Sequence, residues 1–391
     1  MAGKRQKALR FTRVKLTNWR NFRAAEVHLS GRAFFVGPNA SGKSNFLDAL
    51  RFLRDLVQPA GGGLGAAVER RGGLFRLHCL QARQTPYIEI DVDLGNEENP
   101  TVWGYRLRFS MVGKEKLVSV LQEEIKNNGK IIKNNQRPEN PSDPLLYSQT
   151  LIQQVGQNKE FRDIADFFAS IRYLHVVPQI VRDSRRASAG EEDPFGGDLL
   201  RRMKETSSKT RDPRFRRISD ALKIAVPQFG ELELKDDADG HPHLYASYVH
   251  WRPNAQKQNE AMFSDGTLRL IGFLWSVAER GGPLLLEEPE LSLHDEVVSR
   301  LPAMIAKAQR LSGRQVIATT HSSALLDAAG IGLHEVHRLV VGNNGTTIET
   351  AKANPKIREL MEGGWPAGQA VLPFTKPDDI ERLTSVDVVS A

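Results

Sequence analysis

Of 391 residues only one is cysteine, Cys79. It has no partner for an intramolecular disulfide, so a disulfide scaffold and a Cys-based metal site are both excluded, and such usage suits a reducing cytoplasm. Long apolar runs are also lacking. None reaches the roughly 18 residues that a membrane span needs, so no membrane partner is expected. The basic start, Met1-Ala2-Gly3-Lys4-Arg5-Gln6-Lys7, has no apolar h-region behind it, and no signal peptide is expected. No internal repeat and no heptad run of three or more repeats occurs, which removes a long coiled coil. What remains is the composition of an ordinary globular chain, 40% hydrophobic and 26% charged. The length corresponds to roughly two to three domain-sized units. The net charge of +7 permits phosphate contacts with nucleic acid, but an acidic protein partner or a nucleotide surface would use the same surplus.

The most informative stretch is Gly37-Pro38-Asn39-Ala40-Ser41-Gly42-Lys43-Ser44. A glycine, four residues and then Gly-Lys-Ser form a phosphate-cradling P-loop. Its surroundings agree. Ala33-Phe34-Phe35-Val36 suits a buried parallel strand, and Asn45 to Leu56 carries Phe46, Leu47, Leu50, Leu53 and Leu56 at helical spacing. Backbone N–H groups and the dipole at such a helix start both favour an anion.

Around this stretch the pattern predicts β structure over 9–36 and strands at Tyr87–Leu94, Val102–Met111 and Leu117–Ile125. A hairpin turns at Asn128-Gly129, where both positions favour positive φ. Residues 133–160 are polar and predict a surface excursion, followed by a helix over Phe161–Ile171 and a strand at Tyr173–Val177. Residues 181–220 are crowded with cations, among them Arg182, Arg185, Arg186, Arg201, Arg202, Arg214 and Arg217. They predict a mobile helical excursion that is either a solvated face or a contact for nucleic acid or a partner. A second hairpin, from Glu231–Leu234 to Leu244–Val249, turns at Asp239-Gly240. The last third alternates helix Thr267–Glu279, strand Leu284–Leu286, helix Leu293–Ala308, strand Val316–Thr319, helix Ser323–Ala329 and strand Glu335–Val341, which argues for a mostly parallel sheet.

A P-loop lysine hydrolyses nothing by itself; phosphoryl transfer to water also needs a metal, an oriented water and groups on the γ-phosphate. Leu284-Leu285-Leu286-Glu287-Glu288-Pro289 is an apolar strand ending in paired acids, at the sheet edge where ligands of parallel sheets sit. Glu287 is the candidate for the Mg²⁺ shell and Glu288 for the attacking water. Val316-Ile317-Ala318-Thr319-Thr320-His321-Ser322 ends a second strand in polar residues, from which His321 could reach a γ-phosphate. Ser264 is a candidate N-cap, and Gly266 would let backbone approach phosphate closely.

These motifs, in this order, resemble the ATP-binding-cassette ATPases: Walker A at Gly37–Ser44, a signature-like Ser264-Asp265-Gly266-Thr267, Walker B with Glu287-Glu288, Ser292-Leu293-His294 behind it, and a switch at His321. Within them the chain resembles the SMC/RecF branch. Lys15-Leu16-Thr17-Asn18-Trp19-Arg20-Asn21-Phe22 looks like the branch's first strand and "NFR" turn, and Gly37–Asn45 is similar to its "GpNgsGKSN". The Ser-Asp-Gly-Thr form is similar to that of stand-alone predicted ATPases and the OLD (overcoming-lysogenization-defect) family. The resemblance covers 9–95 and 170–345. It implies a homodimer that sandwiches two ATP–Mg²⁺, with higher oligomers open. Gly37, Pro38, Asn39, Ala40, Ser41, Gly42, Lys43, Ser44 and Asn45 would cradle the phosphates, and Ser44 would ligate Mg²⁺ with support from Glu287. Glu288 would polarise water and His321 would sense the γ-phosphate. Ser264 and Gly266 would meet the ATP of the other subunit. The glutamine expected on the metal is Gln179, with Gln81 as the other candidate. Asp265 stands where transporters carry glycine, which argues against a transporter motor. About 220 residues separate Lys43 from Ser264, without the SMC coiled coil, and the segment after Thr350 is short for a TOPRIM nuclease.

The expected fold is therefore an α/β P-loop ABC-type ATPase head, a mixed sheet with an antiparallel β lobe and a helical insertion lobe. The expected division is an N-terminal ATPase lobe over 1–180, a basic helical insertion with a β-hairpin over 181–262, a C-terminal ATPase lobe over 263–350 and a tail over 351–391. The expected function is an ATP-hydrolysing switch in the cytoplasm that controls DNA or a separate effector, a nuclease or toxin, in phage defence or DNA repair. The alternative is a nucleotide-gated nucleic-acid clamp with little turnover. A self-contained nuclease ranks below both, since no second metal cluster is evident and Asp378, Asp379 and Glu381 look like a solvated helix start.

Overall fold

The computed structural model describes residues 9–82, 86–113, 117–183, 193–249, 257–377 and 379–385. Arg185, Arg186 and Asp378 lie outside the described residues.

A six-stranded sheet forms the centre, in the order Gly345–Thr350, Val336–Gly342, Arg32–Val36, Val316–Thr319, Leu284–Glu287, Arg172–Leu174. All neighbours run parallel except the outer pair Val336–Gly342 and Gly345–Thr350, a hairpin. The strand period of two explains why its core strands are apolar throughout. Ala33 and Phe35 point into one core with Leu285 and Ile317. Phe34 and Val36 point into the other with Leu284, Leu286, Val316 and Ala318. Both faces of the sheet are thus buried.

The first core is closed by helix Lys43–Leu56, through Phe46, Leu50 and Leu53, and by an antiparallel sheet. That second six-stranded sheet runs Phe22–His28, Arg10–Trp19, Ile88–Gly95, Trp103–Val112, Leu117–Asn127, Lys130–Gln136. The last two strands meet at the Asn128-Gly129 turn, with φ of 46° and 79° at the two positions. One face of this sheet is apolar. The other carries alternating charges, with Arg13 between Asp91 and Asp93 and Arg106 between Asp91 and Glu124.

The second core is closed by helices Asp265–Ala278 and Leu301–Ser312 and by part of the basic segment. Here the structure corrects the expected excursion. Helices Leu199–Glu205 and Ser208–Ala225 bury Leu199, Leu200, Met203, Phe215, Ile218 and Leu222 in the main body. The cations between those apolar residues hid a helical stripe. A small sheet of Phe229–Asp236, Pro242–Tyr248 and Gln258–Asn259 follows, with its hairpin turn at the expected place. The helix expected over Leu293–Ala308 is two pieces, Asp295–Val298 and Leu301–Ser312. Pro302 sits in the first turn of the second piece, where its missing N–H costs nothing. Among the described residues after Thr350, Ile357, Ala370 and Val371 are buried in the second core.

Candidate nucleotide site

The strands Arg32–Val36, Leu284–Glu287 and Val316–Thr319 are parallel neighbours, so their carboxyl ends meet at one edge. The P-loop leaves the first of them and runs into helix Lys43–Leu56. Gly42 sits at φ 104°, where a side chain is strained, and a Cβ there would also collide with the Asn21 amide. That contact explains the Asn-Phe-Arg turn. Asn21 Nδ2 donates to Ser41 O (2.6 Å) and to Thr346 Oγ1 (2.8 Å), while its Oδ1 accepts from Asn45 (2.8 Å). One amide thereby ties the loop to the hairpin at the sheet's far side. Ala40 takes φ 61° without being glycine, a conformation uncommon for residues with a Cβ.

Lys43 is buried, and its Nζ donates to Gly37 O and Pro38 O, both at 3.1 Å. Burial pushes its pKa below the ordinary value, opposed by Glu288, Glu287 and Glu290. Ser44 Oγ donates to Glu287, whose other carboxylate oxygen accepts from Tyr173 OH. The Arg51 guanidinium lies 4.4 Å over the Tyr173 ring. Two hard oxygen donors, Ser44 Oγ and Glu287, are thus in direct contact beside the P-loop, a donor set that fits Mg²⁺.

Glu288 stands at φ 44°, and its N–H is shared between Thr319 O and Thr319 Oγ1, both at 3.2 Å. Such backbone strain in a non-glycine residue clusters at functional sites. Its carboxylate faces His321 Nε2 at 3.4 Å. The His321 hydrogen bond holds the Glu288 carboxyl below the usual range against the opposing effect of burial, and the charges of His321, Lys43 and His175 add to it. A third acid, Glu290, is buried and accepts from Thr320 Oγ1 (2.6 Å) and from the His321 N–H (2.9 Å). Burial raises its pKa. Glu290 therefore fixes the loop that presents His321 to Glu288.

Ser264 caps helix Asp265–Ala278, accepting from the Thr267 N–H at 3.2 Å. Arg182 Nη2 binds Asp265 (2.6 Å) and Phe263 O (2.7 Å), which ties the segment after strand Arg172–Leu174 to the signature. A Cβ on Gly266 would lie 2.5 Å from Ser292 O. Within one chain, then, glycine is required by the loop after Walker B, whatever else approaches it. Gln179 is exposed in the short helix Pro178–Val181. Gln81 is exposed beside Cys79, from which it accepts a hydrogen bond, and Cys79 continues a segment paired to the end of strand Arg10–Trp19.

Against known proteins, residues 32–327 match the family described as "AAA domain, putative AbiEii toxin, Type IV TA system". The chain belongs to this AAA-domain family. No curated protein matches it in sequence. Among solved structures it is similar to an Smc head bound to the C-winged helix domain of ScpA, at TM-score 0.58 and 14% identity over 87% of this chain and 97% of that one. It is also similar to the Smc head with an extended coiled coil from Pyrococcus furiosus, at TM-score 0.55 and 15% identity over 91% and 100%. A third, the Smc head with a coiled coil and joint from Pyrococcus yayanosii, gives 0.50 and 13% over 92% and 100%. The fold is that of the SMC/RecF-like ABC-type ATPase heads.

Several residues at this AAA-domain site were not singled out from sequence. Tyr173 and His175 reach Glu287 from the neighbouring strand, the latter through Nδ1 at 3.4 Å from Glu287 O. No motif marks them; only strand pairing does. Glu290 had a signal, since Glu-Glu-Pro-Glu holds a third acid. One further group of acidic residues and a histidine lies away from this site, on the exposed turn of the small sheet. Asp237, Asp239 and His241 bring ligand atoms within 4.8 Å of one another on the hairpin turn. Asp237 there caps the turn, accepting from the N–H groups of Asp239 and His241. Among the described residues, no helix is long and apolar enough to cross a membrane.

Proposed function

We propose that this chain is an ATP-hydrolysing switch, closing as a homodimer around two ATP–Mg²⁺ and opening after hydrolysis to control a separate effector protein or DNA. One observation carries the reading: Lys43 and Ser44 from the P-loop, Glu287 and Glu288 from the end of strand Leu284–Glu287, and His321 from the loop after strand Val316–Thr319 converge at a single sheet edge. In this reading the P-loop N–H groups and Lys43 hold the β- and γ-phosphates, with Lys43 leaving the Gly37 and Pro38 carbonyls. Ser44 and Glu287 would hold Mg²⁺, which supplies neutralisation of phosphate charge. Glu288, anionic because His321 keeps its pKa low, accepts the proton of the attacking water. His321 follows the γ-phosphate and reports its loss through Glu290 and the strand behind it. Ser264 and Gly266 complete the site of the partner copy. Gln179, at the head of a short helix tied to the signature by Arg182, is the proposed glutamine of the metal shell.

A switch needs ATP to bind the closed form more tightly than the open one, and a signature supplied in trans would provide this. The family's description as a putative toxin of a toxin–antitoxin system supports a second gene product as partner. The pairing of Glu288 with His321 favours turnover over a static clamp.

The test is Glu288→Gln. Turnover should fall by about 10²–10⁴, the range for loss of a general base, while binding of ATP persists and a dimer accumulates. Wild-type turnover in that variant would remove Glu288 from the mechanism.

A further inference from the structure

The central sheet has a second pole. At the amino ends of its parallel strands, helices Ser208–Ala225, Asp265–Ala278 and Leu301–Ser312 leave a surface groove of about 950 Å³. Its floor is aliphatic, with Ile218, Val277, Met304 and Leu311. Leu311, which lines the groove, is 76% exposed, a large apolar side chain in water. The rim is cationic, with Arg172, Arg214, Arg217, Arg280 and Lys307 facing a single carboxylate, Glu279.

That carboxylate is already engaged. One oxygen accepts from Trp275 Nε1 (2.9 Å) and the other from Arg202 (2.7 Å). Arg217, Arg280 and Lys307 have no ion-pair or hydrogen-bond partner among the described residues. Arg214 lies 4.4 Å over the Trp275 ring, and burial, with Arg202 and Arg217 nearby, lowers its pKa despite Glu279. Beneath the groove Arg314 is buried; its other guanidinium nitrogens donate to the carbonyls of Ser276, Glu279 and Gly282, but Nη2 has no partner among the described residues. Like charges gathered in this way raise the energy of the isolated chain, and a complementary anionic partner would relieve it.

We propose that this groove docks an acidic amphipathic helix from a partner protein. A helix in a groove lays apolar residues at i, i+3, i+4 and i+7 on the floor and would carry its carboxylates to the rim. Nucleic acid fits less well, because single-strand binding relies on aromatic stacking and none of the described residues that line the groove is aromatic. The position also suits a switch. Helix Asp265–Ala278 starts at the Ser264 cap and ends in the groove, so its length of about 20 Å, at 1.5 Å per residue, spans the two poles. Docking itself does not depend on ATP hydrolysis.

The probe is a fluorescein-labelled synthetic peptide with leucine on one helical face and glutamate on the other, added to the full chain and followed by anisotropy. It should bind roughly tenfold or more tightly than a scrambled peptide of equal composition. Arg217→Glu with Lys307→Glu, and separately Leu311→Asp, should each weaken it by roughly tenfold, whereas Lys130→Glu on the far sheet should change nothing. Retained binding of an ATP analogue confirms that each variant is folded. Absence of binding, equal binding of the scrambled peptide, or an oligonucleotide competing through Arg217 and Lys307 would each overturn the proposal.

Discussion

The two ends of the central sheet carry opposite charge problems. At the carboxyl end Glu287, Glu288 and Glu290 gather around Lys43 and His321, and each has a protein partner: Ser44 and Tyr173, His321, and Thr320. At the amino end cations outnumber carboxylates, and several have no partner among the described residues. In the proposed function the first end is organised in advance for phosphate, cation and water. The second is a surface whose charge is left unbalanced by the chain itself. A partnered cluster with shifted pKa values is a candidate for local chemistry, whereas a concave surface of unbalanced charge favours a complementary partner.

The comparison can be broken at either end. The largest effect on nucleotide affinity is expected from Lys43→Ala. Affinity for an ATP analogue should drop by about 10–10²-fold, the scale for losing one charge-assisted hydrogen bond to phosphate, measured by fluorescence titration. His321→Ala should act more narrowly. His321 lowers the Glu288 pKa, so Glu288 stays anionic to a lower pH than an ordinary carboxylate. Without His321 the carboxyl rises, and the acid limb of the turnover–pH profile should move to higher pH; an unmoved limb would separate the two residues. The smallest effect is expected from Arg217→Glu with Lys307→Glu. Basal turnover should equal wild type, because that pole touches none of the reacting groups. Loss of turnover there would make the two poles one site.

The carboxyl end was largely legible in sequence because local chemistry writes it. Walker A, Glu287-Glu288 and His321 each follow an apolar strand, and their meeting at one edge follows from parallel pairing. The partners of those residues were less legible. Tyr173 and Asn21 act through register and tertiary approach, which no motif states. The amino end was misjudged. Arg201, Arg202, Arg214 and Arg217 dominate the composition of their helices, and the predicted mobile excursion missed Met203, Phe215 and Leu222 buried beneath them. A helix can hold both, since a stripe every third or fourth residue is enough to anchor it. The break before Leu301 was missed for a related reason: Pro302 ends one pattern and starts another without interrupting the apolar spacing.

The central claim is that one chain holds half of each active site, so activity should require two copies. Turnover per chain, measured across a dilution series at saturating ATP and Mg²⁺, tests it most directly. A composite site predicts that specific activity rises with protein concentration and levels off as the dimer saturates, with Ser264→Arg abolishing activity while ATP still binds. Specific activity that stays constant down to concentrations where sedimentation shows only monomer would contradict it.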